Sequence, residues 1–233
     1  MNLGKSLRLR RIFANGRALI VPLDPGAESP VALIRTIARS GADAVALSPG
    51  ILEWVIEDLA GLAVILRLNG TSRASQLASV QGALEVGAEA VLLRVDGHLA
   101  HDLERLGRVT EDARRLGMPV IAEIAGEDLA GAVSIAVEYG ADAILAPTVT
   151  DFPDFRQTVR NAGRPVLAAT PRSLTPRNLV RFVHDCMETG AQGVLVEPQP
   201  EPVLAGINAL VHQGIPFTEA LAIAESARST TAE

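Results

Sequence analysis

Four carboxylates and two guanidiniums stand at or near the ends of short apolar runs: Asp24, Asp96, Glu123 and Glu197, with Arg67 and Arg94. Carboxyl groups sharing one basin can move protons, one giving and one taking. A guanidinium forks onto a carboxylate or a developing enolate oxygen. Together they suggest lyase or isomerase chemistry on a small, non-phosphorylated carbonyl or hydroxy compound. Asp24, Glu123 and Glu197 are the candidate reacting groups, and Arg67, Asn69, Arg94 and Asp96 the candidate binding set. A weaker anion site is expected where Thr170, Arg172 and Ser173 precede Thr175 and Pro176, an N-cap followed by a proline at the first helical position. One route is closed. Imines with carbonyl substrates or pyridoxal phosphate need a lysine amine near the reacting carbon, and the chain's only lysine is Lys5.

This reading needs no cofactor. The same four carboxylates could instead supply oxygen ligands to a divalent metal such as Mg2+ or Mn2+. His98 and His101 lie three apart, but without a third spaced ligand they read as structural or solvent-facing, as do His184 and His212. The competing view of the charged set is a non-catalytic barrel that binds a metabolite or supports a partner subunit. Four carboxylates and two guanidiniums are costly to desolvate without a ligand to serve, which favours the enzyme.

The elements that must position these groups are legible from repetition and period. Gly41, Gly87, Gly140 and Gly190 each open a Gly-Ala-(Asp/Glu/Gln) step that runs into an apolar stretch. The glycine reads as the residue after a helix, in the left-handed region, and the apolar stretch as a buried strand. Segments 18–24, 62–69, 119–125 and 165–170 supply four more strands, and 72–86, 100–116, 129–139 and 176–189 have helical period. Eight strands alternating with helices predict one domain over 1–233, a closed parallel (β/α)8 TIM barrel, with an open doubly wound sheet as the competitor. Strand side chains alternate between faces. If Val64, Leu66 and Leu68 face the helices, then Ile65, Arg67 and Asn69 face the barrel axis. The same test turns Asp24, Arg94, Asp96, Glu123, Thr170 and Glu197 inward, near the C-terminal strand ends where barrel active sites are built.

Composition narrows the setting. Hydrophobic residues make up 48% and aromatics 3%, so a large core must be built from Ala, Val, Leu and Ile, the mixture buried parallel strands use. A net charge of -6 gives no attraction to phosphate backbones or anionic lipid, so neither nucleic acid nor a membrane is an expected partner. The single cysteine, Cys186, excludes an internal disulfide and a multi-cysteine zinc site. The basic N-terminus lacks the apolar stretch and small-residue cleavage site of a signal peptide, and a cytoplasmic location is expected.

The opening Gly4-Lys5, then Arg8, Arg10, Arg11, Ile12 and Phe13, followed by Pro22, Leu23, Asp24 and Gly26, resembles the archaeal-type class I fructose-bisphosphate aldolases. Aminodideoxyheptulosonate synthases and the autoinducer-2 thiolase belong to the same group. Gly117, Met118 and Pro119 before the fifth strand and the Gly-Ala-Asp steps extend the likeness over most of the chain. The resemblance implies an aldolase barrel assembled as a homo-oligomer, with the late amphipathic segment 215–227 as apolar surface between subunits. It also implies departures at the working positions. Pro25 stands for a histidine, Ala125 for a tyrosine and Leu145 for the Schiff-base lysine. Glycine-rich phosphate positions fall near Ala169 and Thr170 and on Glu197, Pro198 and Gln199. A proline at 198 removes an N–H that a phosphate cradle would use.

Overall fold

A computed structural model describes residues 2–24, 26, 29–70, 76–126 and 128–226. Eight parallel strands close into a barrel in sequence order, with β8 pairing β1. They are β1 (Ala18–Leu23), β2 (Ala44–Leu47), β3 (Ala63–Arg67), β4 (Ala90–Asp96), β5 (Val120–Ala125), β6 (Ala143–Ala146), β7 (Val166–Ala169) and β8 (Gly193–Leu195). Helix α1 (Leu3–Ile12) precedes β1. Around the barrel run α2 (Pro30–Arg39), α3 (Pro49–Val55), α4 (Val80–Glu85), α5 (Ala100–Leu116), α6 (Leu129–Glu138), α7 (Phe152–Asn161) and α8 (Pro176–Glu188). Two further helices, α9 (Glu201–Gln213) and α10 (Phe217–Glu225), follow β8. No described helix is long and apolar enough to cross a membrane.

The repeated glycines do what their positions predict: Gly41, Gly87, Gly140 and Gly190 all have positive φ, between 75° and 96°, one residue past a helix cap. The polar residue two positions later has a role that period alone does not reveal. Asp43, Glu89, Asp142 and Gln192 accept the backbone N–H of Leu19, Val64, Val120 and Val166, at 2.7–3.0 Å. Each therefore satisfies a donor at the start of an odd-numbered strand, where an orphaned buried N–H would be costly. Three of the four gain a basic partner: His212 for Asp43 at 2.8 Å, Arg11 for Glu89 at 3.1 Å and Lys5 for Asp142 at 2.6 Å. Burial pushes the Asp43 carboxyl above its ordinary value, opposed by the Leu19 N–H and by His212. At the seam, a Cβ on Gly193 would lie 2.0 Å from the Ala18 carbonyl oxygen, so only glycine lets β8 close on β1.

Two shells of core follow from strand alternation. Ala18, Ile20, Ile65, Leu92, Ile121, Leu145, Leu167 and Leu195 belong to a small cluster inside the barrel. Val21, Val64, Leu66, Val91, Leu93 and Ile124 belong to the larger cluster under the helices.

One expectation changes, and a second gains detail. The helix read over 72–86 begins only at Val80, with Ser79 as its cap. Before it, Gln76 bridges Asn69 and the Leu77 N–H bonds to the Leu68 carbonyl, so this stretch spends its backbone on the end of β3; 72–75 lie outside the described residues, as does Pro25. The segment 215–227 forms α10 up to Glu225, but Ala220, Leu221 and Ala224 are buried within the chain. Gly206 of α9 admits the close approach, since a Cβ there would sit 2.5 Å from the Ala220 carbonyl. The buried face of α10 packs on α8 and α9, while Ile223 stays exposed.

Candidate active site

The C-terminal strand ends carry an alternating series of charges. Arg94 Nη1 lies 3.6 Å from Glu123, whose other oxygen is 3.6 Å from Arg67 Nη1. Arg67 Nη2 is 3.6 Å from Asp24, and Asp24 is 3.7 Å from Arg172. Arg172 Nε then reaches Glu197 at 3.3 Å. Three guanidiniums and three carboxylates thus run from β4 across the mouth to the end of β8. All of these separations exceed the 2.7–2.9 Å of a charge-assisted hydrogen bond, so the groups balance charge without saturating their donors. The Nε–H groups of both Arg67 and Arg94 are buried and have no hydrogen-bond partner among the described residues.

Strand phase explains the convergence. Arg67, Arg94 and Glu123 follow Ile65, Leu92 and Ile121 of the inner cluster by two residues, and Arg94 pairs in register with Glu123. Asp24 and Glu197 continue the inner phase of Ile20 and Leu195 just beyond their strands.

The remaining candidates have other partners. The Asn69 side chain accepts the Arg94 N–H at 2.9 Å and donates to the Arg94 carbonyl at 2.8 Å. It prolongs the β3–β4 ladder past its last pair, Arg67 with Leu92, and so fixes where Arg94 stands; its amide is already engaged. Asp96 accepts the His98 N–H at 3.1 Å, and its own N–H donates to Asp102 Oδ2 at 3.0 Å.

The expected anion site at 170–173 is not assembled. Ala168 belongs to the helix-facing core and Ala169 packs on the inner cluster, so Thr170 falls in the outward phase, contrary to the inward reading. Its hydroxyl is buried with no hydrogen-bond partner among the described residues. Ser173 is exposed with φ 64°. Arg172 turns instead to Asp24 and Glu197. The helix start itself is as expected, Thr175 capping the Asn178 N–H at 3.4 Å before Pro176.

Sequence reasoning passed over Asp102, the fully buried carboxylate behind Asp96, flanked by His101 at 3.2 Å and Arg105 at 3.8 Å. The available signal was an acid in the first turn of α5. His212 was also missed as a partner of Asp43.

Among the described residues, no three of His, Cys, Asp and Glu converge as a metal site. The basin carboxylates that could have shared a cation are interleaved with guanidiniums. Lys5 is buried beside Asp142, which precedes β6, at the opposite end of the barrel from this basin. Leu145 and Ala125 are both buried apolar side chains, Leu145 in the inner cluster.

A closed parallel barrel with an ionic basin at its C-terminal mouth defines the class as an α/β barrel of the (β/α)8 type. The chain belongs to the DeoC/LacD aldolase family, whose model matches residues 7–197. Among curated proteins it is 29% identical to 2-amino-3,7-dideoxy-D-threo-hept-6-ulosonate synthase of Halobacterium salinarum, over 94% of this chain and 96% of that one. It is also 29% identical to the class 1 fructose-bisphosphate aldolase of Thermoproteus tenax, covering 80% of this chain and 84% of the relative. Among solved structures, the fructose-bisphosphate aldolase of Slackia heliotrinireducens superposes with a TM-score of 0.83 at 15% identity, over 99% and 92% of the two chains. That likeness bears on the fold.

Proposed function

We propose that this protein is a cytoplasmic lyase of the aldolase family that cleaves or forms a carbon–carbon bond in a small hydroxy-carbonyl compound without forming an imine. The observation that carries the reading is the pair of buried Nε–H donors on Arg67 and Arg94, on either side of Glu123, that meet no acceptor among the described residues. A substrate carboxylate or developing enolate oxygen would take those donors, and its negative charge would compete with Glu123 for the guanidiniums. Glu123, loosened from them, and Asp24, on the far side of Arg67, would then accept and return the proton that a retro-aldol step moves. Glu197 holds Arg172 against Asp24 and completes the rim. Family membership supports the reaction class. The location of Lys5, locked on Asp142 away from the basin, supports a route without an imine.

The test is a panel of small 2-oxo and 2-hydroxy acids with short aldehydes, run in both aldol directions with and without a sugar phosphate. Turnover of a non-phosphorylated pair that survives borohydride treatment is the expected result. Binding without turnover across the panel would favour the non-catalytic barrel, and turnover only of sugar bisphosphates would refute the proposal.

A further inference from the structure

The basin has a second cationic pole, on the other side of Asp24 from the first. Arg67, at the end of β3 with its side chain 20% exposed, approaches Asp24 Oδ1 through Nη2 at 3.6 Å. Arg172 comes from the segment between β7 and α8. It approaches Oδ2 of the same carboxylate, also through Nη2, at 3.7 Å. Its Nε meanwhile faces Glu197 at 3.3 Å. A single carboxylate thus lies between two guanidiniums.

Stability does not account for Arg172. Its side chain is 76% exposed, and ion pairs that far into water contribute little. What its two contacts do is aim it. Asp24 and Glu197 draw a long, flexible cation away from the start of α8 and over the barrel mouth. The gaps on either side of Asp24 leave room for a chain of about five or six carbons laid beside it, one end on each guanidinium.

We propose that the substrate is a dicarboxylate, a 4-hydroxy-2-oxo diacid whose oxo-acid end lies on Arg67 and Arg94 and whose far carboxylate lies on Arg172. The inference rests on the acid–base reading of the basin and adds the second pole to it. A substrate with one carboxylate would leave Arg172 on Asp24 and that base engaged. A diacid draws both guanidiniums off Asp24, which then faces the middle of the chain, where the reacting bond lies. Asp24 takes the hydroxyl proton from the fourth carbon, and the bond between the third and fourth carbons breaks. The fourth carbon becomes an aldehyde. The electron pair passes to the third carbon and the 2-oxo oxygen as an enolate, held by Arg67 and Arg94. The third carbon then takes the proton back from Asp24. A three-carbon 2-oxo acid and an aldehyde acid leave, with no net proton and no oxidant required.

A matched pair of ligands tests the second pole. 2-Oxoglutarate and 2-oxovalerate share chain length and oxo-acid end and differ only in the far carboxylate. Titration calorimetry at low salt should show 2-oxoglutarate binding about tenfold or more tighter. Arg172→Gln should erase that preference, whereas Arg67→Gln should weaken both ligands. A second measurement needs no variant. Added salt should shrink the wild-type preference more than it weakens 2-oxovalerate, because Arg172 is exposed and Arg67 largely covered. Equal binding of the two ligands by the wild type overturns the second pole and leaves the reading of the basin standing. So does a preference that ignores salt, or one that survives Arg172→Gln in a protein that melts like the wild type. Binding of neither ligand overturns the basin reading and this inference together.

Discussion

Glu123→Gln keeps the shape of the side chain and removes its charge, so it separates a working carboxylate from a structural brace. Glu123 lies 3.6 Å from each of two guanidiniums. At that distance and an effective dielectric of about 20, each attraction is about 4–5 kcal/mol. Desolvating the three ions costs on the order of several kcal/mol each, so most of the attraction is already spent. Breaking a buried pair usually costs about 3–5 kcal/mol because the partner is stranded. Here Arg67 keeps Asp24 at 3.6 Å, and the Arg94 side chain is 41% exposed and can hydrate. The net change should be about 1 kcal/mol or less in either direction, or about 2–4 °C in Tm for a chain of this size.

Function should respond differently. Loss of an acid–base group costs about 10²–10⁴-fold in turnover. Neutralising Glu123 also removes the internal competitor for both guanidiniums, so a carboxylate ligand should bind as well as before or better. Scanning calorimetry, titration calorimetry with small 2-oxo acids, and kinetics on whichever pair the panel yields together read all three quantities. The expected pattern is a nearly unchanged midpoint, retained binding and a fall confined to kcat. A collapse of the midpoint together with lost binding would make Glu123 a brace of the barrel mouth. Unchanged turnover would remove it from the chemistry altogether.

Three further outcomes are expected. Borohydride should trap no carbonyl compound on a barrel residue, because Lys5 is engaged by Asp142; a covalent adduct located by peptide mass spectrometry would overturn the imine-free route. Asp43→Asn should preserve the bond to the Leu19 N–H, as the Gln192 amide does for Val166. Since burial raises the folded carboxyl above 3.8, the native state holds that proton more tightly than the unfolded chain. Its contribution is fullest below pH about 3.8 and is lost as pH rises through the folded value. The variant's Tm relative to wild type should therefore improve from acid toward neutral pH, and a constant difference would refute the assignment. Burial, with Asp185 adding to it, pushes the Cys186 thiol up to about 12. The native protein should resist iodoacetamide at mildly alkaline pH and react once on unfolding, whereas rapid native labelling would contradict the packing under α8.

The barrel was legible because its signals are local and repeated. Apolar runs, left-handed glycines and helix periods each depend on a few neighbouring residues, and the four Gly-Ala steps state the rule four times. Strand parity carried the reading as far as Asp24, Arg67, Arg94, Glu123 and Glu197, all in inner phase. It failed at Thr170, where β7 ends at Ala169 and a one-residue difference in phase reverses the face. It could not foresee that Asn69 would bond to the backbone of β4, because that depends on a neighbour 25 residues away. Arg172 was assigned from a helix-start pattern, whereas its long side chain reaches two strand ends, β1 and β8, that no local window contains.

The two ends of this barrel use the same residue types for opposite purposes, and the distances distinguish them. At the N-terminal end, Asp43, Asp142 and Glu89 sit 2.7–3.0 Å from strand N–H groups and within 3.1 Å of their basic partners, so each carboxylate is held closely from two sides. At the C-terminal end, the carboxylates stand 3.3–3.7 Å from guanidiniums, two of which keep a buried N–H in reserve. If the upper charges served only to hold the strands together, the shorter geometry of the lower end would have been the more stable solution, and an apolar plug continuing Leu145 and Leu167 would have been better still. Held at this looser distance, the upper set gains little stability from its charges, and that is the condition under which an incoming anion can displace one partner without unfolding the mouth. The single lysine follows the same division: bound at 2.6 Å within the tight end, it stands apart from the loose basin to which we assign the proton chemistry.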